Sequence, residues 1–198
     1  MDNIEKVIKE IIDIEIDDGI IFEFQSMSNI RELDQYENFR VHLKAVFGKM
    51  RIPLKIDITT GDVITPAEID YAYPKMFDEG TINIKAYPLE TILAEKYETV
   101  LRRNIATTRM RDFYDLYILF KTKEKDIRVD VFKEAVIKTA AERGSLDYIR
   151  DWKSIFEDMG NDEALRVLWS NYSSENNFVQ KIEFEDVLQF IMGATSLK

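Results

Sequence analysis

The chain has 198 residues, 45% of them hydrophobic and 12% aromatic, and a formal net charge of −10. This composition is typical of a globular protein of one or two domains. The absence of cysteine excludes disulfides and thiolate metal sites, and the single histidine, His42, excludes histidine metal clusters and Ser-His-Asp triads. The sequence has no P-loop, no signal pattern and no long apolar run, so we expect a cytoplasmic protein without a membrane segment.

The first 87 residues carry the patterns of one helix and several strands. Apolar residues at helical spacing predict a helix over residues 3–13. Strict alternation of apolar and polar residues predicts strands over 22–25, 40–47, 52–59 and 81–85. Gly48 and Lys49 separate the second strand from the third, which indicates a hairpin. The prolines between the third and fourth strands favour a loop over residues 61–80.

From Pro88 onward the chain reads as helical, because apolar residues recur every three or four positions. The first helix begins with Pro88 at its first position, the second opens at Thr107 or Thr108, and a third is capped by Asp130 and runs to Glu142. Further helices are predicted over 146–159, 162–172 and 184–192. Strands followed by helices predict an α+β fold, with a small sheet domain over residues 1–87 and a helical bundle over residues 88–198.

Lys96 lies inside the apolar stripe of the first of these helices. It follows Leu89 by seven residues, Ile92 by four and Leu93 by three. An inward lysine must extend to solvent, pair with a carboxylate or hold an anion, since an unpaired buried charge is costly. Two interpretations therefore stay open: a point charge for phosphate oxygens, or an ion pair with an aspartate of the next helix.

The segment from Lys96 to Arg111 is locally basic, with five positive residues against Glu98 alone, or +4. Such a patch can bind phosphates even on an acidic protein, or it can be a solvated corner between two helices. Arg109 and Arg111 either contact phosphates or pair with Asp112 and Asp115, which follow them at helical spacing.

These residues also carry a family resemblance. Leu89 with Lys96, followed by Arg109-x-Arg111-Asp112-x-x-Asp115-Leu116, resembles the C-terminal motifs of the AbiEii/AbiGii-type nucleotidyltransferase toxins. Upstream, Ile56-Asp57-Ile58 and the segment 61–66 (GDVITP) resemble the family's I-D-I strand and its G-D-x-x-x-P turn. The order of these motifs agrees from about residue 1 to about residue 145.

The resemblance implies a nucleotidyltransferase-like sheet domain before the helical bundle, and transfer of a nucleotide from an NTP, with Mg²⁺, to an acceptor hydroxyl, expected on tRNA. It also implies a cognate antitoxin. Asp57 would be a metal-holding carboxylate, whereas without the other motifs it would read as an aspartate on a solvated strand face. Lys96 would hold the triphosphate, and Asp112 and Asp115 would complete the catalytic site. Arg109 and Arg111 would contact phosphates or the RNA acceptor end. We expect Asp57, Lys96 and the two helical aspartates to converge in one cleft.

One departure from the family pattern concerns its first motif, a Gly/Ser turn followed by an Asp-x-Asp strand, which this sequence does not contain. Two metal carboxylates would then be absent, so we expect no transfer by this chain alone. A strand without its neighbour would also expose an edge and apolar surface, which favours a homodimer. The alternatives are a non-catalytic remnant that binds nucleotide or protein, and a structural helical module for protein interaction.

Overall fold

The computed structural model describes residues 2–30, 38–179 and 182–195. Within them the chain forms eight α-helices and two antiparallel sheets, which confirms the predicted α+β class. The helices are α1 (Asp2–Ile12), α2 (Leu89–Arg103), α3 (Met110–Lys123), α4 (Val129–Glu142), α5 (Leu146–Arg150), α6 (Trp152–Asn161), α7 (Glu163–Glu175) and α8 (Phe184–Ala194). The strands are β1 (Ile20–Asn29), β2 (Asn38–Phe47), β3 (Met50–Thr59), β4 (Ile69–Pro74) and β5 (Thr81–Ala86).

Contacts divide the chain into two compact units, Met1–Asp62 and Val63–Lys198. The β4–β5 hairpin therefore belongs to the same unit as the helices from α2 onward. The predicted division at residue 87 instead follows the change from strands to helices, and it stays a prediction about domain organisation. No helix in the described ranges is both long and apolar enough to cross a membrane.

The first unit is a three-stranded sheet in the order β1-β2-β3, with α1 in contact with β1. The central strand β2 buries the side chains of Phe39, Val41 and Leu43, which alternate with polar residues as the sequence predicted. The hairpin between β2 and β3 pairs without a register shift. Gly48 adopts a positive φ of 56° in its turn, a conformation that costs glycine little.

The second unit begins with the two-stranded β4–β5 hairpin, and the prediction of a loop over residues 61–80 is wrong for residues 69–74. Tyr71 and Tyr73 lie opposite Ile84 and Ile82, respectively. This apolar alternation is a strand pattern that the nearby prolines obscured. Pro74 occupies the last residue of β4, a position where proline is tolerated.

The core of the second unit is built around α2. Tyr97 is fully buried and packs against Phe132 of α4 and Phe156 of α6. Most helix boundaries differ from the predicted ones by one to three residues; α2, for example, begins at Leu89 directly after Pro88, and α7 extends to Glu175. The helix α3 begins at Met110, Asp130 lies in the first turn of α4 and does not cap it, and the predicted helix over 146–159 is interrupted between α5 and α6.

Candidate functional site

Lys96 on α2 bridges two aspartates of α3. Its Nζ donates to Oδ1 of Asp112 at 3.1 Å and to Oδ2 of Asp115 at 2.6 Å. The Lys96 side chain is 23% exposed, that of Asp115 22%, and that of Asp112 only 4%. The inward lysine is therefore paired with carboxylates, as one interpretation of its position predicted, and its side chain remains partly exposed.

Two arginines complete the group of charges at this helix junction, which consists of Lys96, Asp112, Asp115, Arg109 and Arg111 and is called the Lys96 cluster below. Arg109 Nε donates to Oδ2 of Asp112, and Arg111 Nε lies 3.7 Å from Oδ2 of Asp115. The predicted helical pairs are thus present. The Arg109 side chain is 50% exposed and that of Arg111 is 81% exposed. Asp112 and Asp115 therefore share Lys96, and each pairs with one arginine of its own. Both arginine side chains remain exposed to solvent.

The ionisation of this cluster follows from its contacts. Burial alone would raise the pKa of Asp112, but the hydrogen bond from Arg109 and the charge of Lys96 outweigh it, so this pKa lies below its ordinary value. The hydrogen bond to Asp112 in turn raises the pKa of Arg109. Because the carboxyl pKa is lowered in the fold, ionised Asp112 stabilises the fold above its unfolded-state pKa. That contribution is lost as the pH falls through its folded-state pKa.

The connection between α2 and α3 places Arg109 at this junction. The helix α2 ends where Asn104 takes a positive φ of 46°, which asparagine tolerates better than most residues. The backbone then makes a 3-10 turn over Asn104–Ala106, and the Thr107 hydroxyl accepts a hydrogen bond from the amide of Arg109. Arg109 itself precedes the first residue of α3, so its side chain lies beside the Asp112 carboxylate in the first turn.

A groove adjoins the cluster between the start of α3 and the face of α7. Its cavity volume is about 420 Å³. The lining residues come from both helices: Thr108, Arg109, Met110, Arg111, Asp112, Leu168, Asn171, Tyr172 and Glu175. Arg109 and Asp112 belong to both the groove and the Lys96 cluster. The contribution of α7 was not predicted from the sequence, and Glu175 lies beyond residue 172, where the predicted helix ends.

Asp57 lies on β3 in the other unit and pairs with Arg40 on β2. Arg40 Nε donates to Oδ1 of Asp57 at 2.7 Å and Nη2 donates to Oδ2 at 2.8 Å. This hydrogen bonding holds the pKa of Asp57 below its ordinary value. Among the described residues no group of three or more histidine, aspartate or glutamate side chains is placed to hold a metal ion. The metal role of Asp57, and its convergence with Lys96, stay predictions.

Comparison with known protein families identifies the family of this chain. Residues 1–190 match the model of the nucleotidyl transferase AbiEii toxin family of type IV toxin–antitoxin systems. The chain belongs to this family. The match covers nearly the whole sequence and includes every residue of the Lys96 cluster, so the resemblance seen in its motifs is confirmed.

Solved structures similar to this AbiEii-family chain come from Helicobacter pylori. JHP933 is 19% identical with a TM-score of 0.43, over 92% of this chain and 66% of that protein. A second protein, provisionally assigned as a nucleotidyltransferase, is 20% identical with a TM-score of 0.41, over 92% of this chain and 68% of its own. The AbiEii-family chain thus spans about two thirds of the length of either protein. A search of curated proteins found no match.

A second charged network of this family member, on the opposite side of α2 from Lys96, was missed from the sequence. Glu98 is fully buried and accepts hydrogen bonds from Arg102 Nε and Arg143 Nη1, both at 2.7 Å, and from Ser145 Oγ at 2.8 Å. Helical spacing could have indicated its burial, because Glu98 follows Ala94 by four residues and precedes Leu101 by three, which places it on the buried face. The local charge of +4 already includes Glu98, and it falls to +2 when Asp112 and Asp115 are counted as well.

Proposed function

We propose that this AbiEii-family chain binds a nucleoside triphosphate at the Lys96 cluster, and that the family reaction transfers the nucleotide to an RNA acceptor, tRNA in the first instance. The observation that carries the proposal is the partly exposed side chain of Lys96, whose ammonium group is held by two carboxylates and flanked by two exposed arginine side chains. Cations of this kind are the usual protein partners of phosphate oxygens.

The proposed role of the aspartates is to hold the cations ready. Without nucleotide, Asp112 and Asp115 neutralise Lys96 and fix its position. When a triphosphate arrives, its oxygens share Lys96, Arg109 and Arg111 with these carboxylates. In the transfer step the acceptor hydroxyl gives its proton to water, and its oxygen bonds to the α-phosphorus. The bond from that phosphorus to the bridging oxygen breaks, and pyrophosphate leaves. Lys96 stabilises the charge that develops on the phosphate oxygens.

Mg²⁺ is proposed to enter with the nucleotide. Magnesium is commonly bound through one or two carboxylates together with substrate phosphates, and it retains several waters. The single accessible carboxylate of Asp57 fits the protein's part of such a site, provided that Arg40 releases it. When bound, the ion would neutralise phosphate charge. Asp57 would serve as its ligand, and Arg40 would return to the carboxylate once the ion leaves.

Replacement of Arg40 by glutamine is expected to strengthen the binding of Mg²⁺–NTP, by roughly threefold to tenfold, because Asp57 no longer has a competing bidentate partner. Calorimetric titration with Mg²⁺–NTP measures the change. Arg51→Gln, on β3 in the same sheet, is the matched control, because Arg51 bonds only to the carbonyls of Gly48 and Met50 among the described residues. Weaker binding in Arg40→Gln than in the control would contradict the metal role of Asp57.

Nucleotide titration and a transfer assay together test the proposed function. Binding of Mg²⁺–NTP to the chain separates nucleotide binding from a purely structural helical module. Incorporation of labelled nucleotide into tRNA separates an active transferase from a non-catalytic nucleotide-binding protein. Since this sequence has no Asp-x-Asp pair, we propose that the chain by itself binds nucleotide without turnover. Incorporation that is lost in Asp57→Asn would overturn that part and establish catalysis.

Two protein partners are also proposed. Membership of a type IV toxin–antitoxin family supports a cognate antitoxin. A homodimer is supported by apolar side chains that stay exposed on the first unit, among them Val7 and Ile11 of α1 and Ile52 and Ile56 of β3. Light scattering measures the mass in solution, and a monomer at all accessible concentrations would remove the homodimer.

A further inference from the structure

We infer that the face of α7 in the groove selects the base of the bound nucleotide, and that it favours bases with an exocyclic amino group over uracil. The inference rests on the proposed NTP site, to which it adds the face of α7 as a surface that contacts the base, called the base wall below. Arg109 and Asp112 join the groove to the Lys96 cluster, so a nucleotide whose phosphates lie at the cations has its base within reach of α7.

The polar part of this wall is formed by Asn171 and Glu175. They are four residues apart on one helix, so their side chains lie on the same face. Neither side chain has a hydrogen-bond partner among the described residues. The carboxylate of Glu175 accepts hydrogen bonds only, whereas the amide of Asn171 both donates and accepts. Together they complement an edge that offers an amino donor beside a ring nitrogen or a carbonyl acceptor.

Uracil presents the opposite chemistry at the position that distinguishes it from cytosine. Cytosine carries an amino group at C4, and a glutamate carboxylate is a suitable acceptor for it. Uracil carries a carbonyl oxygen at C4, which cannot donate and which faces the carboxylate unfavourably. Adenine and guanine both carry an amino group. The Glu175 carboxylate therefore discriminates chiefly against uracil, and CTP and UTP form the most closely matched pair of ligands.

The remaining lining of the groove suits a flat base. Leu168 and Met110 supply apolar surface, which is typical of the walls that contact small ligands. The hydroxyl of Tyr172 is buried and has no hydrogen-bond partner within the described part of the chain. Burial, and then the negative charge of Asp115, raise the pKa of Tyr172, so its hydroxyl stays protonated as a potential donor. A ligand that offers an acceptor would satisfy it.

The size and charge of the groove favour one nucleotide over an RNA strand. A cavity of about 420 Å³ lies within the usual range for a small-molecule site. Its lining carries two arginines and two carboxylates, Asp112 and Glu175, so it offers no extended row of cations along which a phosphate backbone could run. The whole chain has a net charge of −10, which further disfavours a long polyanion at this surface.

The test compares CTP, UTP and inorganic tripolyphosphate, each titrated with Mg²⁺ into the full chain and two variants. The wild-type chain is expected to bind CTP about tenfold more tightly than UTP, in keeping with one discriminating base contact. In Glu175→Gln the amide can donate to the uracil carbonyl, so the preference should fall to about twofold. Glu163→Gln, an exposed glutamate of α7 outside the groove, should keep the tenfold preference.

Because tripolyphosphate has no base, its binding tests the proposed phosphate site separately from the base wall. If it binds the wild-type chain while CTP and UTP bind equally, the base wall is wrong and the phosphate site stands. An unchanged preference in Glu175→Gln has the same meaning. If neither tripolyphosphate nor any NTP binds, the phosphate site and the base wall both fail. Binding of a single-stranded oligonucleotide that Glu175→Gln alters, without any preference among NTPs, would assign the groove to the acceptor and overturn the inference.

Discussion

Replacement of Lys96 by methionine is expected to abolish measurable NTP binding while the fold stays intact. Hydrogen bonds to charged groups contribute about 1.5–3 kcal/mol each, so the loss of the ammonium group should weaken binding roughly 100-fold. Methionine retains an apolar, flexible chain of similar length, so packing in the α2 stripe should survive. Calorimetric titration with Mg²⁺–NTP measures the affinity, and thermal unfolding in the same buffer measures the stability.

Lys138→Met is the matched control for this experiment, because Lys138 is an exposed lysine of α4 whose partner is the neighbouring Glu134. It should bind NTP like the wild type. In Lys96→Met the buried Asp112 keeps its hydrogen bond from Arg109, which limits the loss of stability. Unchanged nucleotide affinity, or a large fall in thermal stability without ligand, would instead mean that Lys96 is a structural ion-pair residue.

Replacement of Glu98 by alanine is expected to destabilise the helical unit by about 2–3 kcal/mol, because buried donors lose their acceptor while the partly exposed arginines are resolvated. Glu98 is fully buried, and its loss deprives Arg143 and Ser145 of the acceptor that joins α2 to the end of α4. Glu98→Gln retains an acceptor of the same shape and should lose less.

Urea unfolding followed by tryptophan fluorescence measures this effect in the appropriate unit. Both tryptophans, Trp152 and Trp169, lie in helices of the unit Val63–Lys198. Glu134→Ala is the control, because Glu134 forms an exposed pair on α4 whose loss should cost less than about 1 kcal/mol. A loss in Glu98→Ala no larger than that of the control would show that the buried network contributes little to stability.

Local sequence patterns predicted most of the elements because each carries apolar residues at the period of its own geometry, two residues in a strand and three or four in a helix. The β2–β3 hairpin combined alternation with a glycine turn, and α2 and α3 combined helical spacing with Pro88 before the first. The strand β4 was missed because its alternation is short and lies between two prolines. The break between α5 and α6 at Asp151 has neither glycine nor proline to mark it, so it reflects packing between distant helices that periodicity does not encode.

The candidate site was predictable only where its partners lie on adjacent helices. Helical spacing gave the pairs of Arg109 with Asp112 and of Arg111 with Asp115, and the inward position of Lys96 required a carboxylate or an anion. Glu98 was treated as a lone negative charge because Arg143 and Ser145 lie more than forty residues away. The groove wall on α7 depends on tertiary packing in the same way, so no local pattern could have assigned it.

The contact between Thr65 and Thr91 bears on how much extra chain the protein can accommodate. The Thr91 hydroxyl, on α2, accepts from the amide of Thr65 and donates to its carbonyl, which closes a loop of 26 residues around the β4–β5 hairpin. The entropic cost of closing a flexible loop grows slowly, by about 0.6 kcal/mol for each doubling of its length. Because the base of the hairpin is held at α2, the exposed turn over residues 75–80 is the place where a fluorophore, an epitope or a short linker can be inserted with least disturbance to the helices.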